Sequence, residues 1–578
     1  MRCLRWQINQ YNYFGLFRLM ISFQLRPVLA GGMFLLSLFF TLYHSPLLAV
    51  SPAEQQEIQQ RQRALLEEAA RQREEVARPL SLPTESTEQV PQAQGPCFQV
   101  SKIHFEGASQ LSASQQTRLA SPYLNSCMGL IHINALIRDV SQWYLAAGFV
   151  TSRAFLPEQD LAKGTLTIAV LEGRIEAIVV NGEPDPITRT LFPGLVGQVL
   201  NLRDLEQGVD HLSRLHSLSY QLDIQPGRAP GQSIVNLKGT KGVPLQGALE
   251  FDNSGQQSTG EEQGRISLTA DNLLSLAEQW TLMAGSSTDG RASHNATNWQ
   301  AGFSLPYGYW LFDVGYQFGD YRNDIDSRGY VYESRGDTRT TTGSATRTLY
   351  RDGQSKISGV LGVTHRQSRN FIMEQLLETS SYQLSSLRLG LNLATRVDRH
   401  FFTLNPTLTL GTDWFGADRD RGRSALWPQA QFEKWGLFGS YSTAGGQWGW
   451  LSTFNAQWTP DRLYSVERLS LGGEASVRGF KEQSISGDVG GYLRNELSWQ
   501  GTTPTWLGQW RTWLALDMGQ VDMGNQGDEW RGMVGTAVGW EQRYRHFTGN
   551  VSVGFPLSAP AWLNADPWVL YYRASVAF

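Results

Sequence analysis

The chain reads as a membrane β-barrel of about sixteen antiparallel strands, preceded by two small α+β modules and a plug-like N-terminal helix. Three observations carry this reading. From about residue 246 onward the sequence falls into short segments that alternate apolar and polar residues, and the apolar side is the aromatic one. All but two of the 19 tryptophans (Trp6 and Trp143) lie in that region, as the two interfacial girdles of a membrane barrel require. Ahead of it, residues 97–240 repeat a strand–helix–helix–strand–strand pattern twice, at a period of about seventy-five residues.

Taken in order, residues 1–49 have the three parts of a secretory signal peptide. Arg18 and Arg26 precede an apolar run over 28–43, and Ala49 offers a small residue for cleavage. The stretch before Arg26 is long for such a signal, and Met20 is an alternative start. Residues 50–79 are dominated by Ala, Glu, Gln and Arg, which predicts a helix. Its apolar content is thin (Ile58, Leu65, Leu66, Val76), so it cannot be a core element. Composition leaves two homes for it, free solvent as a spacer or a water-filled pore. Residues 80–96 turn to Pro, Ser, Thr and Gln and read as a flexible linker.

The first module, 97–173, opens with an alternating strand over 98–105. A helix follows near 112–124, then one over 134–147 with Ile133, Leu136, Ile137, Val140 and Tyr144 on one face. Strands over 150–156 and 165–171 close it. The second module, 174–242, repeats the order with a strand over 175–180, an amphipathic helix carrying Leu202, Leu205, Val209 and Leu212, and strands over 219–224 and 233–238. Cys97 and Cys127 lie about thirty residues apart in this exported part, which reads as a structural disulfide in an oxidising compartment, with two free buried thiols as the alternative. Two cysteines without paired histidines make no zinc site, and no metal or cofactor is expected.

In residues 243–578 the side-chain parity is inverted relative to a soluble barrel. Trp310, Phe312, Val314, Tyr316 and Phe318 share one face, against Leu311, Asp313, Gly315, Gln317 and Gly319. Leu493, Leu497 and Trp499 oppose Arg494, Glu496 and Ser498. At the end of the chain Trp568, Leu570, Tyr572, Ala574, Val576 and Phe578 alternate with Tyr571, Arg573 and Ser575. An oily outside and a polar inside exclude a soluble sandwich or propeller. About 330 residues at roughly twenty per strand and connection give about sixteen strands, and a barrel that wide encloses water unless something fills it.

Two features suggest what fills it. Val477, Arg478, Gly479 and Phe480 sit in a polar stretch, 459–487, between two barrel strands. In 510–519, Leu514, Leu516 and Met518 share the apolar face, which turns Ala515, Asp517 and Gly519 toward the lumen. A lumenal carboxylate wants a partner, and a guanidinium can bind it through two parallel bonds. Spacing alone leaves that pairing open, because Asp313 and Glu496 also face inward.

These segments resemble the outer-membrane transporters of two-partner secretion, the haemolysin and filamentous-haemagglutinin secretion family, whose barrels carry periplasmic POTRA modules. The resemblance rests on 477–480 and on the strand 514–519. It also rests on 150–173 with Arg153, Pro157, Gln159 and Gly164, on Phe251-Asp252-Asn253-Ser254-Gly255, and on the positions of Cys97 and Cys127. It covers essentially the whole mature chain in one order. It implies an ATP-independent translocator that takes a large unfolded exoprotein from the periplasm, with the helix plugging the resting pore and Arg478 held by Asp517. Haemolysin-type members would also activate their cargo. It further implies contact with outer-membrane lipid, and with the barrel-assembly machinery during biogenesis, for which Phe578 would be the C-terminal insertion signal. A barrel-assembly insertase of the same superfamily is the alternative, disfavoured by only two modules and a long leading helix. Small net charge (−4) gives no sign of a nucleic-acid partner. An outer-membrane enzyme would need a Gly-x-Ser-x-Gly or His-Glu-x-x-His constellation, and neither occurs. His211 and His216, five apart, are expected at the surface. A passive porin would leave the two modules without a purpose.

Overall fold

The computed structural model describes residues 51–77, 97–291, 293–501, 508–522 and 530–578. The expected signal peptide and linker lie outside the described residues. Sixteen antiparallel strands close into a barrel, from Leu245–Asp252 to Val569–Ala577. Their parity is that of a membrane barrel. Phe312, Val314, Leu514, Leu516 and Leu570 are exposed on the outer wall, whereas Ala515, Asp517 and Tyr571 are buried on the inner one. First and last strands pair from Arg573↔Asp252 to Ala577↔Ala248. Phe578 adds two backbone bonds of 2.8 Å with Gly247, beyond which its ring is exposed. Strands Trp310–Ser327 and Tyr330–Arg351, of 18 and 22 residues, are far longer than a bilayer crossing needs, so their hairpin stands clear of the membrane.

The helix α1 (Pro52–Ala77) runs inside this barrel. Its side chains reach inward-facing residues on several strands, among them Gln317, Lys356, Arg366, Asn392 and Ser440. A helix that is polar on every side suits this site because its surroundings are polar too.

In the first module the strand expected over 98–105 is two strands, β1 (Phe98–Val100) and β2 (Lys102–Glu106). The break at Ser101 has a local cause: the N–H groups of Ser101 and Lys102 both donate to Gly164 O, at 2.9 and 3.2 Å. β1 pairs with β3 (Ser126–Met128), while β2 runs parallel to β5 (Thr165–Leu171), with β4 (Arg153–Phe155) on its other side. The helices are α2 (Ala113–Ala120), closed by a Ser112/Gln115 capping box, and α3 (Leu130–Ala146), which starts at Gly129 and so one turn earlier than periodicity suggests. Ile133, Leu136, Val140 and Tyr144 of α3 pack on Val100, Leu166 and Ile168 as the module's core. β4 begins later than expected because 150–152 form a turn, with Ser152 N–H donating to Phe149 O at 3.0 Å.

Cys97 and Cys127 are joined across the β1–β3 edge, with Cα atoms 5.3 Å apart. Non-reducing peptide mapping of exported protein is expected to yield one cross-linked Cys97–Cys127 pair, and recovery of both as free thiols would end that assignment.

The second module consists of β6 (Arg174–Val180), α4 (Ile187–Leu191), α5 (Leu202–Ser213), β7 (Leu218–Pro226) and β8 (Gln232–Lys241), in sheet order β6-β8-β7. Its core of Leu200, Leu205, Leu212, Val235 and Leu237 takes in Ala277 from a barrel turn. The module is thus packed onto the barrel mouth rather than tethered to it. Gly308 N–H donates to Thr190 O at 2.8 Å, and Thr190 Oγ1 donates to Leu276 O at 2.9 Å. His211 departs from expectation here. It is buried, with Nε2 2.9 Å from Gly308 O, because α5 docks this face on the barrel turn. Burial, with Arg214 and Lys356 nearby, pushes its pKa down to about 3, so the ring is neutral near pH 7.

Candidate functional site: the occupied lumen

The connection between strands Trp448–Trp458 and Val489–Gly501 turns back into the barrel. Leu469–Leu471 pairs with Ile485–Gly487 to form a small hairpin within it. Leu469, Leu471, Val477, Phe480 and Ile485 make an apolar core with the wall residues Tyr492, Val521 and Met533.

Arg478 is at the tip. Its Nε donates to Asp517 Oδ2 at 2.6 Å, its Nη2 to Oδ1 at 2.8 Å, and its backbone N–H to Oδ2 at 3.0 Å. Nη1 donates to Glu496 Oε2 at 2.8 Å, and the guanidinium stacks on Trp513, 4.9 Å from the ring centroid. The two charged side chains are 3% and 0% exposed. A guanidinium so enclosed is stabilised only by the full set of acceptors around it. Asp313, which also faces inward, is held by Ser344 Oγ at 3.4 Å instead.

Gly479 and Phe480 complete the tip. Gly479 has φ +102°, and a Cβ there would lie 2.6 Å from Phe555 O. Phe480 is fully buried, and its carbonyl accepts a 2.7 Å bond from Tyr571 Oη. The wall is cut away to receive the tip. Gly535, paired with Asp517 in the ladder, would carry a Cβ only 1.8 Å from Arg478 O. Strand parity placed Asp517 inside, but one glycine among the three of the next strand gave no signal of its own.

The helix α1 occupies much of the remaining pore and is held by charge. Arg366 grips Glu57 bidentately and donates to Glu467 Oε1 at 2.7 Å through Nη1. Glu467 also takes Lys434 and lies 3.7 Å from Arg61. Tyr382 Oη bonds Glu54 at the helix start. Arg63 pairs with Glu474 of the in-folded loop at 3.3 Å, and Lys356 pairs with Glu75 at 2.9 Å near the helix end. None of these partners was singled out from sequence. Parity would have turned Arg366 and Lys356 inward, since Leu361 between them is exposed to lipid. A cavity of about 820 Å3 remains between α1 and the wall.

The first-module residues form a support rather than a pocket. The Gln159 side chain stands in for a strand, with Nε2 donating to Thr167 O and Oε1 accepting from Thr167 N–H, both at 2.7 Å. Nε2 also donates to Pro157 O at 3.3 Å. Gly164 sits at φ +69°, and Arg153 Nη1 donates to Val150 O and Ser152 O at 3.0 and 3.1 Å. Gln159 and Gly164 brace the connection from β4 to β5, and Arg153 the turn that precedes β4. Among the described residues no cluster of three or more His, Cys, Asp or Glu could hold a metal.

A sixteen-stranded barrel with two modules at its mouth, and a helix and loop in its lumen, defines an outer-membrane protein of the POTRA-barrel class. The model of the haemolysin secretion/activation proteins ShlB/FhaC/HecB matches residues 231–542, and POTRA models match 98–173 (ShlB-type) and 174–226. The chain belongs to that family. It is 42% identical over 547 residues to the outer membrane transporter CdiB of Escherichia coli O6:K15:H31, covering 93% of this chain and 92% of the relative. To the haemolysin transporter protein ShlB of Serratia marcescens it is 30% identical over 493 residues, covering 83% and 86%. The solved structure of CdiB from Escherichia coli superposes with a TM-score of 0.86 at 40% identity, over 91% of this chain and 99% of that one. The protein is thus a two-partner secretion transporter of the outer membrane, with its POTRA modules in the periplasm.

Proposed function

We propose that the chain captures an unfolded exoprotein in the periplasm with its two modules and passes it, without ATP, through its own barrel to the cell surface. The observation that carries this reading is the filling of the lumen. A pore occupied by a charged helix and a pinned loop, with water-accessible space beside them, can be emptied; a lumen packed with apolar side chains could not. The helix is the resting plug, and the loop with Arg478 on Asp517 is the fixed wall of the path. Each module offers sheet edges, β2 and β4 in the first and β6 and β7 in the second, to which an extended cargo can add as a further strand. The protein works as a conduit, not a catalyst. Residues 1–49 are removed on export, and 80–96 tether the helix to the first module. The aromatic outer wall faces outer-membrane lipid, and Phe578 is the signal read by the barrel-assembly machinery. The cargo is a large secreted protein.

Deletion of the gene, with quantitative proteomics of culture medium, periplasm and outer membrane, tests this. One large polypeptide should vanish from the medium and accumulate or be degraded in the periplasm. An unchanged medium, with many outer-membrane barrels depleted instead, would reverse the reading in favour of an insertase.

A further inference from the structure

Lys356 lies where three parts of the chain meet. It is near the periplasmic start of the strand Ser355–Ile372, beside the last turn of α1 and beside α5 of the second module. Its side chain is 11% exposed, and its ammonium sits 2.9 Å from Glu75 Oε2 of α1 and 3.0 Å from Asp210 Oδ2 of α5. Asp210 has a second anchor, since Arg351 holds it together with Glu206. Glu75 has no second ion-pair partner within 4 Å among the described residues, and Arg214 acts on it only at longer range. The two carboxylates therefore stand unequally. One belongs to a module clamped on the barrel, and the other to a helix held through this lysine.

The same arrangement recurs at three other places where α1 meets a charged group of the wall or loop. Arg366 would keep Glu467 if Glu57 left. Glu467 would keep Lys434 without Arg61, and Glu474 would keep Arg573, 3.1 Å away, without Arg63. Breaking a buried pair from one side is costly because it strands the remaining charge. At these three places the charge that α1 leaves behind retains a partner.

We propose that Asp210 and Glu75 compete for Lys356, so that the position of the second POTRA module sets how firmly the plug helix is held. This rests on α1 being the plug. With Asp210 docked, the lysine's charge is divided and the helix end is loosely held. When cargo on the modules shifts Asp210 and Lys356 follows it, Glu75 is released. When Asp210 withdraws, the undivided ammonium tightens on Glu75 and the pore stays shut. The periplasmic receptor thereby reports to the plug through a single cation.

The test is single-channel recording of the purified full-length protein in planar bilayers. Asp210→Asn should lower the frequency of large openings roughly two- to fivefold, since Lys356 then serves Glu75 alone. Glu75→Gln should raise it by a similar factor. In the Glu75→Gln background, Asp210→Asn should have no further effect, because Asp210 acts on the helix only through the shared lysine. If Asp210→Asn raises the opening frequency, leaves it unchanged, or acts equally in both backgrounds, the competition is wrong. Removal of α1 is the separate control. If it leaves conductance unchanged, the plug reading itself fails; if it raises conductance and Asp210→Asn is silent, only the competition fails.

Discussion

Arg478→Ala is expected to abolish export while the barrel still assembles. The substitution strips Asp517, which is fully buried, of two side-chain donors at once, both arms of a bidentate pair. The backbone N–H of residue 478 survives only if the loop stays in place. Stranding one member of a buried pair costs on the order of 3–5 kcal/mol, comparable with what the apolar core around Val477 and Phe480 contributes to holding the loop. Asp517→Ala should be the milder lesion, because the guanidinium retains Glu496 at 2.8 Å. Charge reversal in both partners should recover part of the loss. Recovery is limited by Glu496, which would face the new carboxylate, so adding Glu496→Gln should improve it. The measurement is a double-mutant cycle on secreted cargo, with barrel level checked by heat-modifiable migration. Single losses that simply multiply would mean that the two residues act independently.

How far the sequence carries is clear from these same residues. Alternation in 510–519 orients Asp517 because a strand has period two, and an aromatic stripe identifies the lipid face. Parity says nothing about which strand lies next to which at what height, and the site depends on that. Asp517 is level with Arg494 on one neighbour and Gly535 on the other, and only this register brings Glu496 within reach of Arg478 and clears a space for its carbonyl. Glu496 was readable as a lumenal acid but not as the second partner. The helix shows the complementary limit. Composition made α1 helical and polar, yet a solvated spacer and a pore plug have the same composition. What separates them is Arg366, Glu467 and Lys356, hundreds of residues away in sequence. His211 was misplaced for a similar reason. Its spacing from His216 carries no trace of the turn at Gly308 that covers it.

Deleting residues 52–77 is expected to raise single-channel conductance several-fold while leaving export largely intact. A helix with its side chains is about 10–12 Å across, which is most of the width left by a sixteen-stranded wall once the loop is in place. The cavity of about 820 Å3 beside α1 already admits water, so the intact protein should show a small residual conductance rather than none. Deletion should convert this into a large, steady one. Glu57→Ala gives the same test without truncation. It removes the bidentate grip of Arg366, which keeps Glu467, so the wall tolerates the loss and the helix start is held by Glu54 alone on Tyr382 and Ser465. That variant should flicker between the two conductance levels instead of residing in either. Export should survive both changes if, as proposed, cargo takes the path that the helix vacates, and the pinned loop is untouched by them. Conductance unchanged by the deletion would make α1 a lumenal strut, and a loss of export as complete as that of Arg478→Ala would give it a part in the transport step itself.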